Sequence, residues 1–221
     1  MKKEDLKHKI TKDDIEILHD DKYLNLYLMH FDTNPHYLSA SRRKVDDLIA
    51  LKSDEEYKDI MADAVTCVVV LRVPGEEPKI YFEREFRYPT GRFLLGPPAG
   101  LIDPEDGADG TDPRIAAAKR EIREETGIIV KDSDTIYVAN PFVFSSPGMT
   151  DESNAMICAI IDLPDLSSLN NNNGEGTEIF DNYSLYTKEE AKRMIETGRG
   201  DDGLYYTIYT WAALMYFVYE T

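Results

Sequence analysis

Cysteine is scarce in this chain, with 2 among 221 residues. Both lie inside apolar runs, Cys67 in "VTCVVVL" and Cys158 in "AMICAII". That placement predicts buried, inert thiols and argues against a disulfide or a cysteine nucleophile. Long apolar stretches are missing too. No run approaches the ~18 residues that a membrane-spanning helix needs. The opening "MKKEDLKHKITKDD" has no apolar core of the secretory kind. A cytoplasmic protein with no membrane partner is expected. Positive charge is the third shortage: 25 basic against 42 acidic residues give a formal net charge of −17. Such a surface repels nucleic acid and anionic lipid. A polyanionic small ligand would need local basic residues or metal ions to offset that field.

What is present fits a globular protein. Hydrophobic residues make up 42% and aromatics 10% of a length that suits one domain, or one domain with a small appendage. The β-formers of "KYLNLYLMHF" and the following "PHYLSASRRK" predict an N-terminal hairpin or small antiparallel sheet. "VDDLIALKSDEEYKDI" reads as a short helix or a linker. "AVTCVVVLRV" is a nearly continuous apolar strand, hence covered on both faces, and "KIYFEREFRY" alternates more. After a Gly/Pro-rich stretch a helix begins, with Asp112 as N-cap, Pro113 at its first position and Gly127 just past its end. Ile115, Ala118 and Ile122 form its apolar stripe, placed away from its glutamates.

"TIYVANPFVF" and "NAMICAIIDL" predict two more strands, split by "SSPGMTDES". "NNNNGEG" is a polar loop and "NYSLYT" a short strand. "KEEAKRMIETG" is a helix capped by Thr187 and stopped by Gly198, and residues 204–219 form a last, very apolar helix. Strands and helices without regular βαβ alternation predict an α/β (α+β) fold. The division expected is a β-rich region over 1–60 and a larger domain over 61–221.

One stretch carries chemistry. In "REIREETGI" a helix places Glu121, Glu124 and Glu125 at i, i+3 and i+4, on one face. The plain reading is a solvated acidic face. The alternative is a platform for a hard cation such as Mg²⁺, which takes carboxylate oxygens together with substrate phosphates. The glycine-rich "PPAG" before the helix and Arg120, poised to orient a carboxylate at i+4, favour the platform.

The same stretch resembles the Nudix box, G-x5-E-x7-R-E-U-x-E-E-x-G-U with U apolar. Arg120, Glu121, Ile122, Glu124, Glu125, Gly127 and Ile128 match its second half. Counting back from Arg120 puts Asp112 at the first acidic position. Gly100 then lies twelve residues earlier rather than six, as if "PEDGAD" were inserted. "PPAGLID", "EFRYP" and "SPGMTDE" resemble segments of the ADP-ribose pyrophosphatase and nucleoside diphosphate sugar hydrolase branch. The resemblance implies a mixed β-sheet sandwiched between helices, with a small N-terminal antiparallel β domain. It implies hydrolysis of ADP-ribose or a similar nucleoside diphosphate sugar at its pyrophosphate.

For site residues, it implies that Glu121, Glu125, Glu124 and the Ala99 carbonyl ligate Mg²⁺ or Mn²⁺, with Arg120 as orienting partner. Arg87 would hold the diphosphate end, Tyr23 and Tyr37 the base, and Arg42 the base or phosphate. For the two tyrosines, packing within a strand core is the competing reading. The catalytic base would come from the late loop, where Glu178 matches better than Glu175. A homodimer through the N-terminal region is implied as well. The rival readings are a non-catalytic nucleotide-sensing module and a pyrophosphohydrolase for GDP-mannose, a dinucleotide polyphosphate or a coenzyme.

Overall fold

The computed structural model describes residues 9–31, 34–169 and 178–221. The chain forms two compact units, one of residues 1–63 with 142–154, the other of 64–141 with 155–221.

The first unit is built on a three-stranded antiparallel sheet, β1 (Ile15–His19), β2 (Asn25–Phe31) and β3 (Asn34–Ser41), in that order. The expected hairpin is β2–β3, and β1 adds an edge strand that the sequence pattern did not reveal. Its small core is Tyr27, Met29 and Leu48, with Ile10, Ile15, Val45, Ala50 and Leu51 packed against them. The Tyr27 hydroxyl donates to the Arg43 carbonyl at 2.9 Å, so its polar tip is satisfied inside that core. The stretch after β3 forms two 3₁₀ turns and a single-turn helix, α1 (Asp54–Lys58), which starts at a Ser53–Glu56 capping box.

Segment 142–154 is tied into this unit by charge. Arg43 pairs with Asp63 and Asp151, and all three side chains are less than one-fifth exposed. Asp63 also accepts from the Ser153 N–H at 2.9 Å and its hydroxyl at 2.8 Å. The Ala40 N–H donates to the Met149 carbonyl at 2.9 Å. The hairpin tip is thereby an integral part of the unit rather than a free loop.

The second unit holds a seven-stranded sheet. Its main path runs β10 (Phe180–Tyr186), β5 (Lys79–Arg87), β4 (Ala64–Arg72), β9 (Ser153–Asp162), β8 (Thr135–Phe144). The short β6 (Arg92–Gly96) pairs with β5, and β7 (Ala99–Leu101) with β4. Central β4 is buried at every position but its last, as its unbroken apolar run requires. Both cysteines are free and buried, in line with the sequence reading. Helix α2 (Pro113–Thr126) has the expected ends: Asp112 accepts from the Arg114 N–H, and Gly127 sits at φ 75°, a conformation that favours glycine. Helix α3 (Lys188–Thr197) likewise has its Thr187 cap and Gly198 stop.

Helix α4 (Ile208–Glu220) begins four residues later than the apolar pattern suggested. Thr207 caps it by accepting from the Thr210 N–H, so hydroxyl chemistry rather than hydropathy sets the start. Among the described residues, no helix is long and apolar enough to cross a membrane.

The Arg43 ion-pair network yields a prediction. Arg43→Met leaves the largely buried Asp63 and Asp151 side chains without their cation, and should cost about 3 kcal/mol. Urea unfolding monitored by circular dichroism measures it; a change below about 0.5 kcal/mol contradicts the role given to this network.

Candidate active site

The site lies in the second unit, between α2 and one face of β5. In a strand alternate residues share a face, so Tyr81, Glu83, Glu85 and Arg87 line up on one side. Tyr81 anchors the inner end; it is fully buried and its hydroxyl reaches the Glu125 carbonyl at 3.5 Å. Arg87, half exposed, marks the outer end and pairs with Glu85.

From the helix come Glu121 and Glu125, only 8% and 6% exposed. The sequence reading put them opposite the apolar stripe. Instead they border it, since buried Ala117, Ala118 and Ile122 are interleaved with them on α2. Glu124 is more open and is held by Arg120 at 3.3 Å and Arg123 at 3.5 Å. The three box glutamates thus divide into a buried pair and a rim residue.

Strand β7 closes the floor. The Ala99 N–H donates to Glu125 at 3.1 Å. A Cβ on Gly100 would stand 1.8 Å from the nearer Glu121 carboxylate oxygen. Glycine is needed there because the carboxylate occupies the space a side chain would fill.

Arg120 gathers the acidic groups around it. It contacts Glu121 at 2.6 Å, the Leu101 carbonyl at 2.8 Å and Asp106 at 3.0 Å. Asp106 was not singled out from sequence, because the count ran backward from Arg120 to Asp112. Counted forward from Gly100, the spacing of five intervening residues lands on Asp106. The structure gives Asp112 a different task. It caps α2 and pairs with Arg114, whose hydrogen bond holds the Asp112 carboxyl below its usual range. The extra residues therefore follow Asp106.

Burial dominates the electrostatics. Glu83, on β5, is 2% exposed, and its Oε2 is buried with no hydrogen-bond partner. It shares a hydrogen bond with Glu125. Burial pushes the Glu83 carboxyl up from 4.5 to about 8. Burial, then the charges of Glu83 and Glu121, push Glu125 well above the ordinary value. Glu121 and Glu85 are raised by burial too, though Arg120 and Arg87 respectively oppose the shift. Glu178 adds to the upward shift of Glu83, Glu85 and Glu121. It is exposed, next to Ile179, whose carbonyl accepts from the Phe86 N–H at 2.8 Å. Glu178 therefore borders the cluster, whereas Glu175 lies outside the described residues.

Among the described residues, no three His, Cys, Asp or Glu side chains stand in a ready metal-binding arrangement. The Arg120 guanidinium and the Ala99 N–H donate to the α2 carboxylates. The ligand atoms nevertheless suit a hard cation: all are oxygens, they are crowded and desolvated, and one buried oxygen has no partner.

The chain matches the NUDIX domain family over residues 61–205. It belongs to the Nudix family. An uncharacterized Nudix hydrolase of Schizosaccharomyces pombe is 34% identical over 103 residues, 46% of this chain and 44% of that protein. The ADP-ribose pyrophosphatase of Saccharomyces cerevisiae is 31% identical over 121 residues, 54% of this chain and 46% of that one. An ADP-sugar pyrophosphatase of Mus musculus is 31% identical over 108 residues, 49% of this chain and 45% of that protein. The alignments thus span about half the length of these relatives. A solved ADP compounds hydrolase superposes with a TM-score of 0.57, covering 94% of this chain and 91% of its own, at 16% identity; it shows a shared fold.

The remaining candidates of this Nudix chain lie in the first unit. Tyr23 is 67% exposed and Tyr37 46%, which excludes core packing for both. The Tyr37 hydroxyl donates to the Gly148 carbonyl at 2.6 Å, and Arg42 pairs with Glu152 at 2.7 Å. The structure therefore joins Tyr37 and Arg42 to the "SPGMTDE" segment. Tyr37 also lines a cavity of ≈ 380 Å³ with Tyr57, Lys9 and Lys52.

Two predictions follow from the cluster. Gly100→Ala should drive the buried Glu121 carboxylate off Arg120, with a measurable loss of stability and at least about a tenfold loss of any metal-dependent turnover. Unaltered kinetics would show that the close approach of Gly100 and Glu121 is unimportant. The second concerns pH in the presence of chelator. A carboxyl whose folded pKa is raised favours the folded state while protonated, and that benefit fades as pH climbs from 4.5 through about 8. The metal-free protein should lose stability across this window, and Glu83→Gln should flatten the loss. Melting temperatures at half-unit pH steps test this; parallel profiles for the two proteins contradict it.

Proposed function

We propose that this chain hydrolyses the pyrophosphate bond of ADP-ribose or a similar nucleoside diphosphate sugar, giving a nucleoside monophosphate and a sugar phosphate. The observation that carries the reading is the buried Glu121–Glu125 pair of the Nudix helix facing Glu83, Glu85 and Arg87. The relatives named as ADP-ribose and ADP-sugar pyrophosphatases support the substrate class.

Glu121, Glu125 and Glu124, with the Ala99 carbonyl, would hold Mg²⁺ or Mn²⁺. Such an ion supplies Lewis-acid polarisation of phosphoryl oxygens and a more acidic bound water. The chain's own groups do the rest. Arg87, at the open end of β5, presents a planar guanidinium that grips a diphosphate bidentately. Arg120 fixes Glu121 and Glu124 and, through Asp106 and Leu101, sets their height above β7. Glu178 takes the proton of the attacking water as the oxygen–phosphorus bond forms and the bridging oxygen departs with its phosphate. In the first unit, Tyr23 and Tyr37 are exposed aromatics at separate places on the hairpin, each of which could stack on a base, and Arg42 would serve the base or phosphate. Stacking of that kind contributes about 1–3 kcal/mol. A homodimer through residues 1–60 completes the proposal.

The experiment is a panel of nucleoside diphosphate compounds incubated with Mg²⁺ and resolved by chromatography. ADP-ribose or an ADP-sugar should be cut to AMP and a sugar phosphate, and chelator should stop the reaction. Glu178→Gln should lower kcat by about 10²–10⁴-fold without altering cation affinity. Cleavage confined to GDP-mannose or to dinucleotide polyphosphates would reassign the substrate. No cleavage of any compound would overturn the enzyme reading.

A further inference from the structure

Glu83 stands on a central strand among Ile80, Tyr81 and Phe82, each fully buried. Its neighbours dictate an apolar residue, and a carboxylate there is costly unless something compensates it. One compensation is the hydrogen bond shared with Glu125. That leaves Oε2 buried and unpartnered. Adjacent Arg84 points to the other face, where it pairs with Asp201 and Asp202, and the nearest cation on Glu83's own face of β5, Arg87, is committed to Glu85. Arg120 serves Glu121, Glu124, Asp103 and Asp106 instead. The shared face of β5 points the Glu83 carboxylate at the buried end of the α2 pair, where Ala99 holds one Glu125 oxygen.

We propose that Glu83 is a direct ligand of a divalent cation together with Glu125, so that β5 as well as the Nudix helix supplies the cation site. The inference rests on the metal-dependent reading above. It gives the unpartnered oxygen a task and explains why a strand core retains an acid. It also extends the site inward from Glu121, so a cation bridging Glu83 and Glu125 lies deeper than one held by Glu121 and Glu124 alone.

Mn²⁺ is the probe. Titration calorimetry and the paramagnetic resonance of free Mn²⁺ give affinity and stoichiometry for wild type, Glu83→Gln and Glu125→Gln, with no turnover involved. Loss of a direct ligand should weaken Mn²⁺ binding in Glu83→Gln by more than the about 10–100-fold that loss of an outer-shell partner costs, while its chelator-treated form melts no lower than wild type. Crystals of the wild-type protein soaked in Mn²⁺ supply a second readout that needs no variant. Anomalous density should place the ion about 2.0–2.3 Å from a Glu83 oxygen. Unchanged affinity in Glu83→Gln, or an ion more than about 3 Å from Glu83, overturns the proposal. If Glu125→Gln is weakened and Glu83→Gln is not, only this inference fails. If wild type binds no Mn²⁺, the metal-dependent reading fails with it.

Discussion

The second unit is organised around an electrostatic conflict. Glu83, Glu121 and Glu125 are removed from water within one small volume, beside Glu85 and Glu178. Isolated charges in such a place cost several kcal/mol each, and mutual repulsion adds to that. The fold answers with one guanidinium and one backbone N–H. Arg120 is therefore held from several sides, by Leu101, Asp106 and the helix itself. Gly100 lacks a side chain for the same reason, because the space belongs to Glu121.

That conflict also explains how the surrounding elements are built. Helix α2 needs firm ends, since a slip of one residue would rotate Glu121 and Glu125 away from β5. Asp112 and Gly127 fix those ends. Strand β5 needs support on both edges, and β4, β6 and β10 provide it. The opposite face of β5 carries Phe82 and Arg84. Arg84 pairs with Asp201 and Asp202 in the turn between α3 and α4, so that face is pinned as firmly as the acidic one. The first unit uses the same device on a smaller scale, with Arg43 between Asp63 and Asp151.

Much of this could be read before any coordinates. The caps of α2 and α3, the apolar run of β4 and the carboxylates of "REIREETGI" are local signals, each visible within a few residues. What stayed hidden depends on distant pairing. Glu83 and Glu85 look like ordinary polar positions of an alternating strand, and only the approach of α2 makes one of them a buried partner of Glu125. Asp106 is equidistant in character from its neighbouring acids until Arg120 selects it. "SSPGMTDES" reads as a turn between two strands, yet Arg43 and Ala40 draw segment 142–154 into the N-terminal unit. The start of α4 was misplaced because hydropathy continues through residues 204–207 while the Thr207 cap does not.

As a cation site, rather than a protonated structural cluster, the buried carboxylates would bind a divalent ion in place of protons. Thermal unfolding at pH 8, in chelator and then in saturating Mg²⁺, tests this most directly. A cation that binds the folded state alone at about a hundred times its Kd contributes about 2.7 kcal/mol. For a chain of this size that is a rise in Tm of roughly 5–10 °C. A rise of that order supports the account. An unchanged Tm in both Mg²⁺ and Mn²⁺ at pH 8 would contradict it and leave the carboxylates as a structural feature held together by protons.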